Sequence, residues 1–443
     1  MRIAAHTLGC KLNYAETSDL LRRIAASGHT IVDFSQTADL YLINTCTVTA
    51  TAEKKCRNAI SQAHRTNPEA QIAVVGCFAQ VAAEQLKQLP GVSLVLGNDR
   101  KHLLPALLQN QETLNNQNTP INPSIQSNPI NPSNPINQPP QPLSPFTPQY
   151  SLGDRTRSFL KIQDGCDYFC TYCAIPLARG RSRSATIAST LHAAREIARS
   201  GAREIVLTGV NTGTFGLHNG ETLLDLLRAL DTIEGIARYR ISSIEPNLLT
   251  PDIISFIASS RAFLPHFHIP LQAGSDHVLQ LMHRRYTTAL YREKAELIHR
   301  LMPDACIAAD ILAGFNGETE PEFRSTLQFL SSLPIAYLHV FTYSDRPGTA
   351  ALRLPEKIPV AVRHEHTARL LALSARLHRS FLNSQMGQSR PVLWESSPHG
   401  HLMHGLTDNY IRLATPYDPT LINTIQTLTL TPSLLADPSD FSD

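Results

Sequence analysis

Three cysteines, Cys166, Cys170 and Cys173, stand at the spacing C-x3-C-x2-C within Cys166-Asp167-Tyr168-Phe169-Cys170-Thr171-Tyr172-Cys173. A loop this short can turn three thiolates onto one small object. A compact iron–sulfur cluster suits that reach, and thiolate is its usual ligand. No fourth cysteine follows nearby, so one iron of a four-iron cluster would stay open to a substrate or cofactor. Pure electron carriers usually ligate every iron, and an open iron points instead to reactive chemistry. The alternatives are zinc, which normally wants four ligands in a structural site, and a coincidental trio of buried thiols. The trio spacing is more specific than a lone C-x2-C.

The loop follows a strand-like run at 158–163 through Asp164-Gly165. Further strand candidates lie at 204–208, 238–242, 266–270, 305–311 and 337–341, with helical stretches such as 187–200, 223–230 and 321–330 between them. Six βα units over residues 150–383 predict a partial (βα)6 barrel of TIM type, which places its chemistry at the carboxyl ends of the strands. The first cysteine loop lies after the first strand, as that rule requires. Polar groups gather at the later ends: Gly209 and Asn211, Glu245, His268 and Gln272, and Asp310. One such residue is structural as often as not. Several on one rim favour a ligand site.

Residues 1–108 also alternate strand and helix, which predicts an open parallel sheet with helices on both faces. Cys10, Cys46 and Cys77 follow the first strand, the strand at 39–44 and the strand at 71–76. Ligands gather beyond the carboxyl ends of such strands, so these thiols form a second three-cysteine site. The competing reading is that buried cysteines collect at strand ends. Cys56, inside a charged helix, reads as a bystander, and Cys306, in an apolar strand, reads as a packing residue. Residues 109–149 are rich in Asn, Gln, Pro and Ser and read as a disordered linker. Residues 384–443 carry short strand-like runs with turn residues between them, which predicts a small β-barrel. Arg412 and His404 there are candidates for phosphate contact, without a basic stripe.

The chain has 443 residues, 42% hydrophobic and 17% charged, with a net charge of +2. That suits two or three globular domains and removes any global basic field, so contact with RNA must be local. The amino terminus reads as a strand rather than an export signal, and no apolar run reaches the ~20 residues of a membrane helix. The expected location is cytoplasmic, without a membrane partner. In that reducing compartment eight cysteines serve metals or catalysis more often than disulfides.

Cys166, Cys170 and Cys173 match the signature of the radical S-adenosylmethionine (SAM) superfamily. The stretches Gln163-Asp164-Gly165-Cys166, Pro176-Leu177-Ala178-Arg179-Gly180-Arg181, Thr7-Leu8-Gly9-Cys10 and Phe341-Thr342-Tyr343-Ser344 resemble its methylthiotransferase branch. Where that branch usually has Gly-Phe-Pro-Gly-Glu-Thr, Asn316 replaces Pro, a change in a turn. The resemblance implies two [4Fe-4S] clusters, SAM as cofactor, and a carboxyl-terminal TRAM-like domain that binds RNA. It makes Cys166, Cys170 and Cys173 ligands of the SAM-cleaving, catalytic cluster, and Cys10, Cys46 and Cys77 ligands of an auxiliary one. Tyr172, Gly209, Asn211, Glu245, His268, Gln272 and Asp310 are the implied cofactor-binding residues. The implied reaction adds a methylthio group at C2 of N6-threonylcarbamoyladenosine in the tRNA anticodon loop, with an electron donor such as flavodoxin or ferredoxin. The isopentenyladenosine and ribosomal-protein aspartate subgroups are the enzymatic alternatives. A non-enzymatic Fe–S RNA-binding or electron-transfer protein is the alternative of another class. Arg179, Arg181 and Arg183 are candidates for meeting the threonylcarbamoyl carboxylate or tRNA phosphates.

Overall fold

The computed structural model describes residues 1–109, 146–153, 155–399 and 401–437. The linker expected at 109–149 falls almost wholly outside them. Two compact units result. One comprises Met1–Ser151, Asp164–Ser182 and Ser344–Leu352, the other Leu152–Gln163, Arg183–Tyr343 and Arg353–Asp443. The loop that holds Cys166, Cys170 and Cys173 belongs to the first.

In the first unit, strands β1 (Arg2–Thr7), β2 (Thr30–Val32), β3 (Leu40–Thr45), β4 (Gln71–Gly76) and β5 (Val92–Leu96) form a parallel sheet in the order β2-β1-β3-β4-β5. The central strand β3 is buried at every position. Leu40 and Leu42 pack on one face with Ile3, Ala73, Val75 and Ile24 of helix α1 (Lys11–Ala26). Tyr41 and Ile43 pack on the other with Ile72, Val74 and Ile60 of helix α2 (Ala50–Thr66). Burial on both faces makes these strands apolar without alternation. Two short helices follow β4, α3 (Cys77–Val81) and α4 (Ala83–Lys87). Ala82 leaves helical geometry between them, at φ −138° and ψ 35°, and α3 starts directly after Gly76, its N-cap at φ +99°.

In the second unit, β6 (Arg157–Lys161), β7 (Glu204–Thr208) and β8 (Arg238–Ile241) are parallel neighbours. So are β9 (His266–His268), β10 (Cys306–Ala313) and β11 (Tyr337–Thr342). An isolated parallel bridge links Tyr239 of β8 to Phe263, three residues before β9. The carboxyl-terminal strands β12 (Ser389–His399), β13 (Leu402–Thr407), β14 (Arg412–Pro416) and β15 (Ile425–Thr429) form an antiparallel sheet in the order β14-β13-β12-β15. It curls over Trp394, Met403, Ile411 and Leu413. His404 is buried there, which takes it away from any phosphate at the surface. Among the described residues no helix is long and apolar enough to cross a membrane.

That sheet is tied to the parallel strands by two buried arginines of β8. Arg238 donates to Leu406 O at 3.1 Å, and Arg240 donates to Thr407 O at 2.6 Å and Asp408 O at 2.8 Å. Glu204 lies between them, 2.8 Å from Arg240 Nε and 3.4 Å from Arg238 Nε. Burial works against its charge, but Arg240, Arg238 and Arg157 hold its carboxyl below the usual range. The resulting stability is present above the unfolded pKa and lost as pH falls through the folded one. Removing one partner of a buried ion pair costs about 3–5 kcal/mol. Glu204→Gln is therefore expected to lower the denaturation midpoint at neutral pH. The gap from the native chain should shrink as pH drops below about 4. A gap that grows toward acid would refute this account.

Candidate cluster and cofactor sites

Parallel register decides where the amino-terminal cysteines go. Thr7 pairs with Asn44, Asn44 with Val75, and Thr45 with Gly76. Strands β1, β3 and β4 thus end level, and Cys10, Cys46 and Cys77 leave the sheet side by side. Cys10 is the N-cap of α1, and Cys77 opens α3. A Cβ added to Gly9 would meet Cys46 Cβ at 2.8 Å and Cys46 Sγ at 3.1 Å, so the turn before Cys10 lies directly on Cys46. All three thiols are free. Burial, with added repulsion from Cys77 and Cys10, pushes the Cys46 thiol up to about 12. A bound cation inverts that balance and keeps a coordinating thiol deprotonated.

Cys56 is not the bystander that its charged neighbours imply. It is fully buried against the sheet. Its Sγ accepts from Cys46 N at 3.4 Å and donates to Cys46 O at 3.5 Å. It thereby fixes the backbone of the central cysteine of the trio. Cys306 is buried in β10, and burial raises its thiol to about 12.

A buried polar network adjoins Cys77. Asn98, just past β5, donates from Nδ2 to Cys77 Sγ at 3.3 Å and to Ala178 O at 2.7 Å. Its Oδ1 accepts from Lys101 Nζ at 2.6 Å, and Lys101 also pairs with Glu16. Arg179 closes the network. It donates to Glu16 Oε1 at 3.0 Å, Asp164 Oδ1 at 2.9 Å and Asn13 Oδ1 at 2.5 Å. Burial opposes its charge, but Cys77, Glu16, Asp164 and Cys10 hold its pKa well above the ordinary value. Arg179 is thus committed inside the protein and is unavailable to a substrate carboxylate or a phosphate. Arg181 is exposed, 3.4 Å from Asp167 and stacked 5.0 Å from the centre of the Phe169 ring, and Arg183 is half-buried. Glu16, Lys101 and Asn98 were not singled out from sequence. One signal was there for Glu16: it interrupts the apolar row Leu12, Leu20, Ile24 on the buried stripe of α1.

The C-x3-C-x2-C loop is pinned in several places. Gly165 has φ +68°, and a Cβ there would lie 2.0 Å from Arg181 O, so only glycine fits the turn into the loop. Cys166 N donates to Gly180 O at 3.1 Å, Cys173 N to Cys170 O at 3.0 Å, and Ala351 N to Thr171 O at 2.8 Å. The segment carrying Ala351 is itself held by Arg346, which reaches Glu53 Oε1 at 2.8 Å. Phe169 takes φ +50°, a conformation that non-glycine residues hold only where surrounding structure imposes it. Cys170 is buried, and Cys166, Tyr172 and Cys173 are half-buried.

The second unit carries the remaining candidates on its strand ends. A Cβ on Gly209 would lie 2.9 Å from Gln163 Oε1, which in turn accepts from Asn211 N at 2.9 Å. The Asn211 side chain is buried, and among the described residues neither of its polar atoms has a partner. Thr208 Oγ1 and Ser242 Oγ, on neighbouring strand ends, are buried and likewise without a partner among the described residues. Buried polar atoms are almost always paired, so a polar ligand is the natural complement here. Glu245 pairs with Arg284. His268 Nε2 lies 2.6 Å from Asp310 Oδ1, and His339 completes a group whose donor atoms lie within 4.8 Å of one another. Gln272 sits at φ +69°, with its N donating to Asp310 O at 2.8 Å.

Residues 2–97 match the uncharacterized protein family UPF0004, and residues 160–330 match the radical SAM superfamily. The chain is 37% identical to the threonylcarbamoyladenosine tRNA methylthiotransferase MtaB of Bacillus subtilis, over 93% of this chain and 89% of the relative. This chain belongs to the radical SAM methylthiotransferase family. It is also 30% identical to the tRNA-2-methylthio-N(6)-dimethylallyladenosine synthase of Syntrophotalea carbinolica, over 88% of this chain and 87% of that protein. Among solved structures, the radical SAM methyltransferase TsrM of Kitasatospora setae overlays with a TM-score of 0.56 at 15% identity, covering 79% of this chain and 76% of that one. That likeness concerns the fold alone. Membership in the family implies [4Fe-4S] clusters and SAM. The donor set fits them: two all-cysteine trios for iron, and a rim of unpaired buried polar atoms for a polar cofactor.

Proposed function

We propose that this protein is a tRNA methylthiotransferase that adds a methylthio group at C2 of N6-threonylcarbamoyladenosine in the anticodon loop. The observation that carries the reading is the pairing of two three-cysteine sets in one compact unit, in a chain closely related to a methylthiotransferase of that substrate. In this reading Cys166, Cys170 and Cys173 hold the catalytic cluster, and Cys10, Cys46 and Cys77 the auxiliary one. Tyr172, Gly209, Asn211, Glu245, His268, Gln272 and Asp310 bind SAM, with Asn211 supplying the buried amide that such a ligand would satisfy. When bound, the cofactors supply SAM cleavage, hydrogen removal at the adenine carbon, the sulfur and the methyl group. The protein's part is to hold them. Gly209 lets the backbone approach closely, Arg284 keeps Glu245 in place, and the His268–Asp310 pair presents a fixed polar edge. The parallel strands of residues 150–383 serve as a partial (βα)6 barrel, 1–108 as the auxiliary-cluster domain and 384–443 as a TRAM-like domain. A flavodoxin or ferredoxin supplies electrons.

Anticodon-loop bases are single-stranded and can be splayed into a pocket. Threonylcarbamoyl carries a carboxylate, and a site built for a polar group rejects an apolar analogue by a factor of about 10⁴ or more. Arg181 and Arg183 remain candidates to meet it. The test presents the reconstituted enzyme with one tRNA carrying either threonylcarbamoyladenosine or isopentenyladenosine, and measures product by nucleoside mass spectrometry. The former is expected to react at least about 100-fold faster. Preference for the isopentenyl substrate would overturn the assignment.

A further inference from the structure

We propose that Asn98 is a positioning residue that ties Cys77 of the auxiliary site to the segment leaving the C-x3-C-x2-C loop, and that its amide N–H tunes the auxiliary cluster. The inference rests on the two-cluster reading above. Its basis is geometric. Asn98 Nδ2 lies 3.3 Å from Cys77 Sγ and 2.7 Å from Ala178 O, while Oδ1 faces Lys101 Nζ at 2.6 Å. Ala178 O can only accept and the Lys101 ammonium can only donate. The orientation of the amide is therefore fixed by its partners, and the nitrogen must face the cysteine sulfur. Asn98 is buried.

Two consequences follow for this chain. First, one side chain sets the position of Cys77 against the helix Ile175–Arg179, which begins two residues after Cys173. Arg179, one residue after Ala178, ties the same helix to Glu16 and Asn13 of α1. The spacing of the two cysteine sets thus depends on a few buried contacts. Second, hydrogen bonds to cluster sulfurs raise reduction potentials by stabilising the more negative, reduced state. Loss of this N–H should make the auxiliary cluster harder to reduce.

The experiment uses the full chain with Cys166, Cys170 and Cys173 changed to Ala, reconstituted with iron and sulfide, so that one cluster is titrated. Its midpoint potential is measured with and without Asn98→Ala. The expected shift is about tenfold toward the oxidised form, or about 59 mV for a one-electron couple. Asn98→Asp keeps the shape and the Lys101 contact but turns an acceptor toward the sulfur, and should shift further in the same direction. This variant decides the matter if the Ala variant loses its iron. Equal potentials in that three-alanine background with Asn98 and with iron-loaded Asn98→Asp would overturn the proposal. Absence of iron from the parent background, with Asn98 intact, would instead refute the auxiliary-cluster reading on which it stands.

Discussion

With Cys166, Cys170 and Cys173 all changed to Ala, the anaerobically reconstituted protein is expected to make no 5′-deoxyadenosine above background and to keep roughly half of its iron. SAM cleavage needs an iron with an open position, and three thiolates on a four-iron cluster leave one. The loop offers those thiolates from a backbone held at Gly180 O, at Cys170 O and through Ala351, so Ala should remove ligands without releasing the loop. The complementary change, Cys10, Cys46 and Cys77 to Ala, is expected to preserve SAM cleavage and abolish methylthiolation, again with roughly half the iron. Undiminished 5′-deoxyadenosine from the first variant sinks the catalytic assignment. Full iron in the second shows that its cysteines hold none. The two results also separate the enzyme reading from that of an electron carrier, which would not cleave SAM at all.

The α/β class could be read because strand-helix alternation is a property of short stretches. The adjacency of Cys10, Cys46 and Cys77 could be read for a related reason. Neighbouring parallel strands that end after similar lengths bring their ends level, and the register of Thr7, Asn44, Val75 and Gly76 does so. What escaped the reading depends on single contacts between distant residues. Asn98 and Lys101 follow β5 with no spacing pattern that would mark them, and their importance comes only from lying beside Cys77, Ala178 and Glu16. Arg179 was visible as a cation, but its burial was not, since three acceptors from 13, 16 and 164 enclose it. Cys56 misled for a similar reason. Its neighbour Lys55 is exposed and Arg57 half-buried, while Cys56 itself lies in the core beneath α2. Arginines at 238 and 240 in β8 would place charge in a buried strand, and they are tolerable because Glu204 and four backbone carbonyls receive them.

Arg179→Gln is expected to lower the stability of the first unit by about 3–5 kcal/mol, because removal of one member leaves buried charge without compensation. Arg179 has 4% exposure and Glu16 none. Lys101 still pairs with Glu16 in the variant, but Asp164 loses its buried ion pair with Arg179, 2.9 Å in the native chain. A loss of that size is a large share of the roughly 5–15 kcal/mol that holds a domain folded, so it should appear plainly in urea denaturation. Lysine should recover only part of it, since a single ammonium lacks the planar fork that reaches Glu16, Asp164 and Asn13 together. The competing role, contact with tRNA phosphate, makes a different forecast. It requires normal stability and a salt dependence of tRNA binding whose slope falls by about one. The buried network requires the reverse in soluble, iron-loaded protein: reduced stability and an unchanged slope. If Arg179→Gln unfolds with the native midpoint while its salt slope falls, Arg179 belongs at the RNA surface and the network is not what holds it.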